Sequence, residues 1–304
     1  MSAGRAVLRL LGRRLPAASG SVSAPGLSAP VTIRRDRFGI PHVRASSDAD
    51  AFFALGFCHG QDRSFQLETL LRAGRGELAA LVGPGALEVD RMSRRIGFAR
   101  AAAAQLAALG EREQGALASY ANGVNAGRAG RRPHELALLR TAPTPWTGAD
   151  ALAALGLVSL GLAGNWDMEL GRLRVLERDG PDALRAVDPA YPSWLAVTGP
   201  PGSPAGTAVD RLSDDVAALA SVVGGGGSNN WAVSGSRTAT GRPLVANDPH
   251  LSPTLPAFWY LVHLSTPEWS VAGASAVGAP GVPVGHNDVV AWGVTNSGAD
   301  VVDL

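Results

Sequence analysis

Along this chain the spacing of apolar positions changes character once. Helical spacing fills the first part and alternating, strand-like spacing fills the last. Order begins with Val31–Asp36 and Arg37–Val43, two short strand-like runs joined through a turn. From about Ala49 to Arg72, apolar residues such as Phe52, Phe53, Leu55, Cys58, Leu67 and Leu71 recur at helical intervals. Ser47 or Asp48 is placed to cap the start, and Gly74 and Gly76 end the run. Helical spacing returns at 77–82, 88–108, 111–127, 149–164 and 166–179. Pro143–Gly148 is a break, after which Thr147 or Asp150 can cap the next helix. Residues 180–227 lose this periodicity, and Pro189, Pro192, Pro200, Pro201 and Pro204 among Gly, Ser and Ala predict a loose spacer. From Ser228 onward Trp231–Val233, Pro243–Val245, Phe258–Leu264, Trp269–Ala274 and Val289–Val294 read as strands.

Composition narrows the class without naming a function. The 304 residues are 46% hydrophobic with a formal net charge of +1, so the chain can bury a core and is not a polyelectrolyte or an evident nucleic-acid binder. Arginines concentrate before residue 140 and read as a solvated face with some ion pairs, Arg35 with Asp62 or Asp36 with Arg63 among them. Cys58 is the single cysteine, which excludes an intrachain disulfide and a thiolate metal site; its neighbours predict a buried helix position. No apolar run approaches the roughly 20 residues of a membrane span. Residues 1–30 are expected to form a basic tail and linker. They lack the continuous apolar core of a secretory signal, and the compartment stays open, the cytoplasm slightly favoured over periplasm or secretion.

The chemistry concentrates at Gly224–Trp231, Gly-Gly-Gly-Gly-Ser-Asn-Asn-Trp. Two readings stand side by side. The tract has the composition of a flexible linker. It also suits a bond bent back on itself, because Gly227 has no Cβ and a structured strand follows at once. If the chain is cut before Ser228, that serine carries both nucleophile and base. Its hydroxyl attacks, and its α-amine, with an ordinary pKa of roughly 7.7–8.0, accepts the proton. No Gly-x-Ser-x-Gly elbow is present, which disfavours a conventional serine hydrolase.

Five blocks, in order, carry a resemblance. They are Arg35–His42; Gly56–Arg63 with Gln66, Glu68, Arg72 and Gly76; Asn165–Leu170; Gly227–Trp231; and Gly285–Thr295 running on to Asp303. Together they resemble the penicillin acylase (penicillin amidase) family of N-terminal-nucleophile hydrolases. The resemblance implies an α+β fold, an αββα sandwich of which only the first part of the sheet is present. It implies a largely helical α-chain region at 31–179, a spacer at 180–227 removed or nicked on maturation, and the start of a β chain at 228–304. The family's β chain runs well beyond this length, so a fragment or a truncated reading frame is expected. Activity of residues 1–304 alone is not, and unpaired edge strands predict aggregation.

The roles the resemblance implies are these. The precursor cuts itself at Gly227-Ser228 and hydrolyses N-acyl amides (penicillins, acyl-homoserine lactones or similar) through an acyl-enzyme on Ser228. His250 helps orient the amine, and Asn296 supplies a backbone N–H to the oxyanion. Glu169, Asp300, the carbonyl of Val302 and Asp303 would hold one structural Ca²⁺ per heterodimer of the α and β fragments, a hard-oxygen set apt for that ion. Leu251, Val284 and Gly298 occupy pocket positions with small or aliphatic residues, which predicts preference for an aliphatic acyl chain. His286, His42 and His59 are expected to be structural, the last two bonded within the helical part. The alternative is a catalytically silent relative acting as a binding or structural protein.

Overall fold

The computed structural model describes residues 16–17, 19–130, 132–163, 166–187 and 227–296. The first hairpin is β1 (Thr32–Arg35) with β2 (Pro41–Arg44). Helix α1 (Asp48–Asp62) starts at Ser47, whose side chain accepts from the Asp50 N–H. The expected single helix to Arg72 is in fact two. Arg63 leaves the helical conformation, its N–H closes on His59 O and its guanidinium reaches Ala257 O at 2.8 Å; α2 (Ser64–Arg75) then runs to the left-handed Gly76. A tertiary contact has overridden the periodicity.

Four more helices follow: α3 (Ala79–Val82), α4 (Leu87–Ile96), α5 (Phe98–Ala108) and α6 (Glu111–Arg128). The break between α4 and α5 is Gly97 at φ 80°, where one helix over 88–108 was expected. After α7 (His134–Leu138), α8 (Gly148–Leu162) opens with a capping box between Thr147 and Asp150. The last, α9 (Trp166–Val187), bends at Gly180-Pro181 and continues to Val187, so the stretch expected as spacer from 180 begins helical. Residues 188–226 of that stretch, like residues 1–15, lie outside the described residues.

The strands after Ser228 form two groups. β3 (Ser228–Val233) and β4 (Leu244–Pro249) make a separate antiparallel ribbon. β5 (Trp259–Ser265), β6 (Ser270–Ala276), β7 (Val284–His286) and β8 (Ala291–Trp292) join the first hairpin in a sheet ordered β1-β2-β5-β6-β7-β8. Among the described strands only β2 and β5 pair in parallel, with His42 opposite His263. The strand expected over 289–294 shrinks to two residues. The Asn287 side chain accepts from the N–H groups of Val289 and Val290 and closes a turn instead. The arrangement is α+β, as expected: one face of the sheet (Val43, Tyr260, Val262, Leu264) packs on helices, and the other carries His42, Leu261 and His263.

Helices α1 and α6 touch backbone to backbone. Gly56 and Gly60 on α1 face the carbonyls of Tyr120 and Val124, while Gly123 and Gly127 on α6 face those of Phe53 and Phe57. At each of the four a Cβ would collide with the opposing carbonyl oxygen. Cys58, also on α1, is fully buried and its thiol is pushed up to about 12 by burial, the inert position expected.

His59, on α1, is fully buried, and the expectation that it bonds within the helical part holds for one partner, Tyr120, but not for the other, Ser275. Its Nδ1 is 2.7 Å from the Tyr120 hydroxyl and its Nε2 is 2.9 Å from Ser275 Oγ on β6. The protons can be placed. Ser275 donates its one O–H to Tyr260 O, so His59 Nε2–H must donate to Ser275 Oγ. Tyr120 accepts from the Gly278 N–H and donates to Nδ1. Every group is satisfied by one neutral tautomer, and burial, with Arg63 nearby, drives the imidazole pKa down to about 3. His42 likewise bonds outside the helices, to His263 at 3.1 Å, with Asp36 at 3.5 Å on its other nitrogen.

Of the two ion pairs expected, Arg35–Asp62 forms, with Asp62 also accepting from the Tyr260 hydroxyl at 2.5 Å. Asp36 instead caps the β1–β2 turn by accepting from Phe38 and Ile40 N–H. The expected linker is tied down at both ends: Ser28 bonds Asp50, and Ala17 O accepts from Gln61. Between it and α1 lies a cavity of about 330 Å³ lined by Val31, Ile33, Phe53 and Phe57, among others; it includes none of the expected site residues.

Two stability predictions follow from this packing. Gly123→Ala should lower stability by about 1–3 kcal/mol or more through overpacking, read as a fall in the urea midpoint. Gly115→Ala on the same helix, where a Cβ meets nothing within 4 Å, should raise it by about 0.5–1 kcal/mol. Equal effects at the two positions would refute the backbone contact.

The second concerns pH. His59 is depressed in the folded state, so between its ordinary 6.5 and about 3 the unfolded chain binds the extra proton. Stability should therefore decline as pH falls below 6.5, by about 1.4 kcal/mol per unit from this group. Urea unfolding at pH 7, 6 and 5 should give a shallower decline for His59→Gln; parallel slopes count against the assignment.

Candidate functional site

The site is built where the β3–β4 ribbon meets the chain leaving β8. Ser228 is the first residue of β3 and lies opposite Pro249. One residue earlier, Gly227 O accepts the N–H of His250 at 2.8 Å, so the carbonyl of the Gly227-Ser228 bond is held and polarised by a backbone donor. The imidazole of His250 turns back on its own ribbon. Its Nε2 is 2.9 Å from Asp248 Oδ2 and 3.4 Å from Asn229 Nδ2, and the side chain is about half exposed.

The chain beyond β8 comes alongside. Asn247 Nδ2 donates both to Asn229 O at 2.9 Å and to Val294 O at 2.8 Å, and its Oδ1 accepts the Val294 N–H at 3.2 Å. Gly293 makes the approach possible, since a Cβ there would come within 2.7 Å of Asn247 Cβ and 2.9 Å of Asn230 Oδ1. The Thr295 hydroxyl then donates to Ser228 O at 3.3 Å, and Asn296 Nδ2 donates to Leu162 O, the end of α8, at 2.6 Å.

The structure thus brings Gly227, Ser228 and His250 to one place, while Asn296 follows Thr295, which touches Ser228, and itself bonds to the end of α8. Glu169 stands on α9, half-buried. Its three expected co-ligands Asp300, Val302 and Asp303 lie outside the described residues, as do Asn165 and Gly298. Of the other two pocket positions, Leu251 follows the ribbon and Val284 begins β7, both partly buried. His286 ends β7 exposed, with Ala272 opposite it on β6. Two contributors escaped the sequence reading: Asn247 and Thr295. Asn247 sits in the polar run Asn-Asp-Pro-His, which reads as a turn, and nothing in its spacing reveals a side chain bridging two other segments.

Chemically, the arrangement offers a serine at the head of a strand and a carbonyl before it already accepting a hydrogen bond. It also brings Thr295 alongside, its hydroxyl donating to Ser228 O. While the Gly227-Ser228 bond is intact, the Ser228 nitrogen is an amide and cannot act as a base.

Comparison with known proteins supplies the context. The profile of the penicillin amidase family matches residues 30–304. The penicillin acylase 2 proenzyme of Pseudomonas sp. (strain SE83) is 39% identical over 309 residues, covering 95% of this chain and 39% of that protein. The acyl-homoserine lactone acylase QuiP of Pseudomonas aeruginosa is 36% identical over 305 residues, covering 95% of this chain and 36% of its own length. Among solved structures, a thermostable penicillin G acylase from Alcaligenes faecalis superimposes with a TM-score of 0.45 at 27% identity, over 58% of this chain and 98% of that one. The chain spans well under half the length of the curated relatives it matches.

Proposed function

The chain belongs to the penicillin amidase family, and from that premise we propose that it is the precursor part of an amide hydrolase activated by a cut at Gly227-Ser228. The observation that carries the reading is the hydrogen bond from His250 N–H to Gly227 O beside Ser228. In the cut, Ser228 Oγ attacks the Gly227 carbonyl carbon and the peptide C–N bond breaks, giving an ester and a free α-amine. Water then hydrolyses the ester to a Gly227 carboxylate and an N-terminal Ser228. The new amine is the base the uncut chain lacks.

In turnover the same hydroxyl attacks the carbonyl of an N-acyl amide, a penicillin or an acyl-homoserine lactone being the classes that the relatives' names suggest. The amine passes the proton to the leaving nitrogen and then activates the water that releases the acid. Asn296 N–H is the proposed oxyanion donor; one such donor is worth roughly 2.7–4 kcal/mol in acyl transfer. The contact between Thr295 and Ser228 O supports that placement. The two fragments would stay together as a heterodimer, because β1 and β2 share a sheet with β5 to β8.

Calcium is part of the proposal. Glu169, Asp300, Val302 O and Asp303 offer hard oxygen donors that suit the ion, which would supply a structural tie between the fragments. The bond from Asn296 to Leu162 O supports their convergence. It joins the stem of the segment leading to Asp300 to the end of the helix shortly before Glu169.

Two experiments test the reading on the full-length gene product. Purified protein should yield a fragment beginning Ser228-Asn229-Asn230, and Ser228→Ala should abolish both cutting and amide hydrolysis; an uncut wild-type chain, unchanged on long incubation, favours a silent relative. Aliphatic N-acyl substrates should be hydrolysed with higher kcat/KM than phenylacetyl ones, given Leu251, Val284 and Gly298, and a strong phenylacetyl preference would sink that part.

A further inference from the structure

We propose that Asn247 is a positioning residue for this reaction: its carboxamide fixes the Val294–Asn296 segment against the strand that begins at Ser228. The proposal deepens the hydrolase reading and rests on it. Asn247 lies on β4 opposite Asn230, and its side chain reaches both the neighbouring strand β3 and a segment outside the ladder. Among the described residues its side-chain bonds go to backbone: two donated, to Asn229 O and Val294 O, and one accepted from Val294 N–H. Oδ1 and Nδ2 thus satisfy both the donor and the acceptor of Val294, as a neighbouring strand would, while Nδ2 also holds the residue after the nucleophile.

Among the described residues no other side chain does this as tightly. Thr295 reaches Ser228 O only at 3.3 Å, the long end of an O–H···O contact. Gly293 cannot gain a Cβ without striking Asn247 itself, so the segment has room for one close approach, and Asn247 occupies it. The donor expected at Asn296 stands two residues beyond the clamped Val294. An error of an ångström in such a donor is enough to cost about 100-fold in rate.

The test uses the full-length protein, with an N-acyl p-nitroanilide of medium aliphatic chain as probe and rates normalised to titrated Ser228 sites. Asn247→Ala should lower kcat by about 10- to 100-fold while KM changes little. Asn247→Asp keeps the shape and the acceptor for Val294 N–H, but an ionised carboxylate turns acceptors toward two carbonyl oxygens. When protonated it regains one O–H donor. Its activity relative to wild type should therefore rise as pH is lowered. Asp248 and His250 are present in both proteins and cancel in that ratio.

A normal kcat in Asn247→Ala, or a pH-independent ratio for Asn247→Asp, overturns the proposal. So does failure of both variants to accumulate folded protein, which assigns Asn247 to folding alone. An uncut, inactive wild type overturns the hydrolase reading itself and takes the proposal with it, an outcome distinct from an active wild type with indifferent variants.

Discussion

The backbone contact between α1 and α6 is the constraint from which the rest of the molecule follows. Gly56, Gly60, Gly123 and Gly127 each give up side-chain packing, and each carries a helix penalty of up to about 1 kcal/mol relative to alanine. Close dispersion contact along the whole interface offsets that cost. The consequence is positional. With one face of α1 flush against α6, its other face lies close enough to the sheet for His59 to reach Ser275 and for Asp62 to reach Tyr260. A methyl group added at this contact would shift α1 and disturb both bonds at once.

Those polar bonds matter for another reason: they cross from the helical part to strands that lie beyond Ser228 in sequence. The parallel pairing of β2 with β5 crosses the same way, as does Ala45 N–H to Ser265 O at 2.9 Å. The apolar core crosses it too, with Val43, Leu55 and Tyr120 packed in one cluster with Val262 and Leu264. Residues before and after the Gly227-Ser228 bond therefore form one cooperative body. The covalent bond between them is not what holds that body together.

Sequence periodicity revealed the parts of this design that are local. The N-cap at Ser47, the capping box at Thr147 and Asp150, and the strand that starts at Ser228 depend on residues a few positions apart. Arg63 shows where that limit lies. Its helix break depends on Ala257, far along the chain, so a periodic apolar stripe ran straight through it. The β8 region failed for the opposite reason: Val289 and Val290 look like strand residues, but the Asn287 side chain captures their N–H groups for a turn. At the site, Ser228 stands out because glycines precede it and a strand follows. The roles expected of His250 and Asn296 came from resemblance. Asn247 was illegible because its partners are backbone groups, which carry no sequence identity.

That last point bears on how the site tolerates the chemistry proposed for it. A strand added to β3 through a full ladder would fix every residue equally, including Ser228 and the bond before it. The observed link is a single carboxamide placed one residue past the nucleophile, joined to a segment held at its far end by Asn296 on Leu162 O. Ser228 itself is left with a long hydroxyl contact from Thr295 and its ribbon pairing to Pro249. The segment is bonded at Val294 and at Asn296, while the side-chain contact on Ser228 O is the long one from Thr295. In the proposed cut Ser228 would change from an amide to a free amine, and a division between an anchored segment and a less constrained first residue would suit that change. Because the anchored half hangs on Asn247 rather than on a ladder, one side chain governs the register between the two.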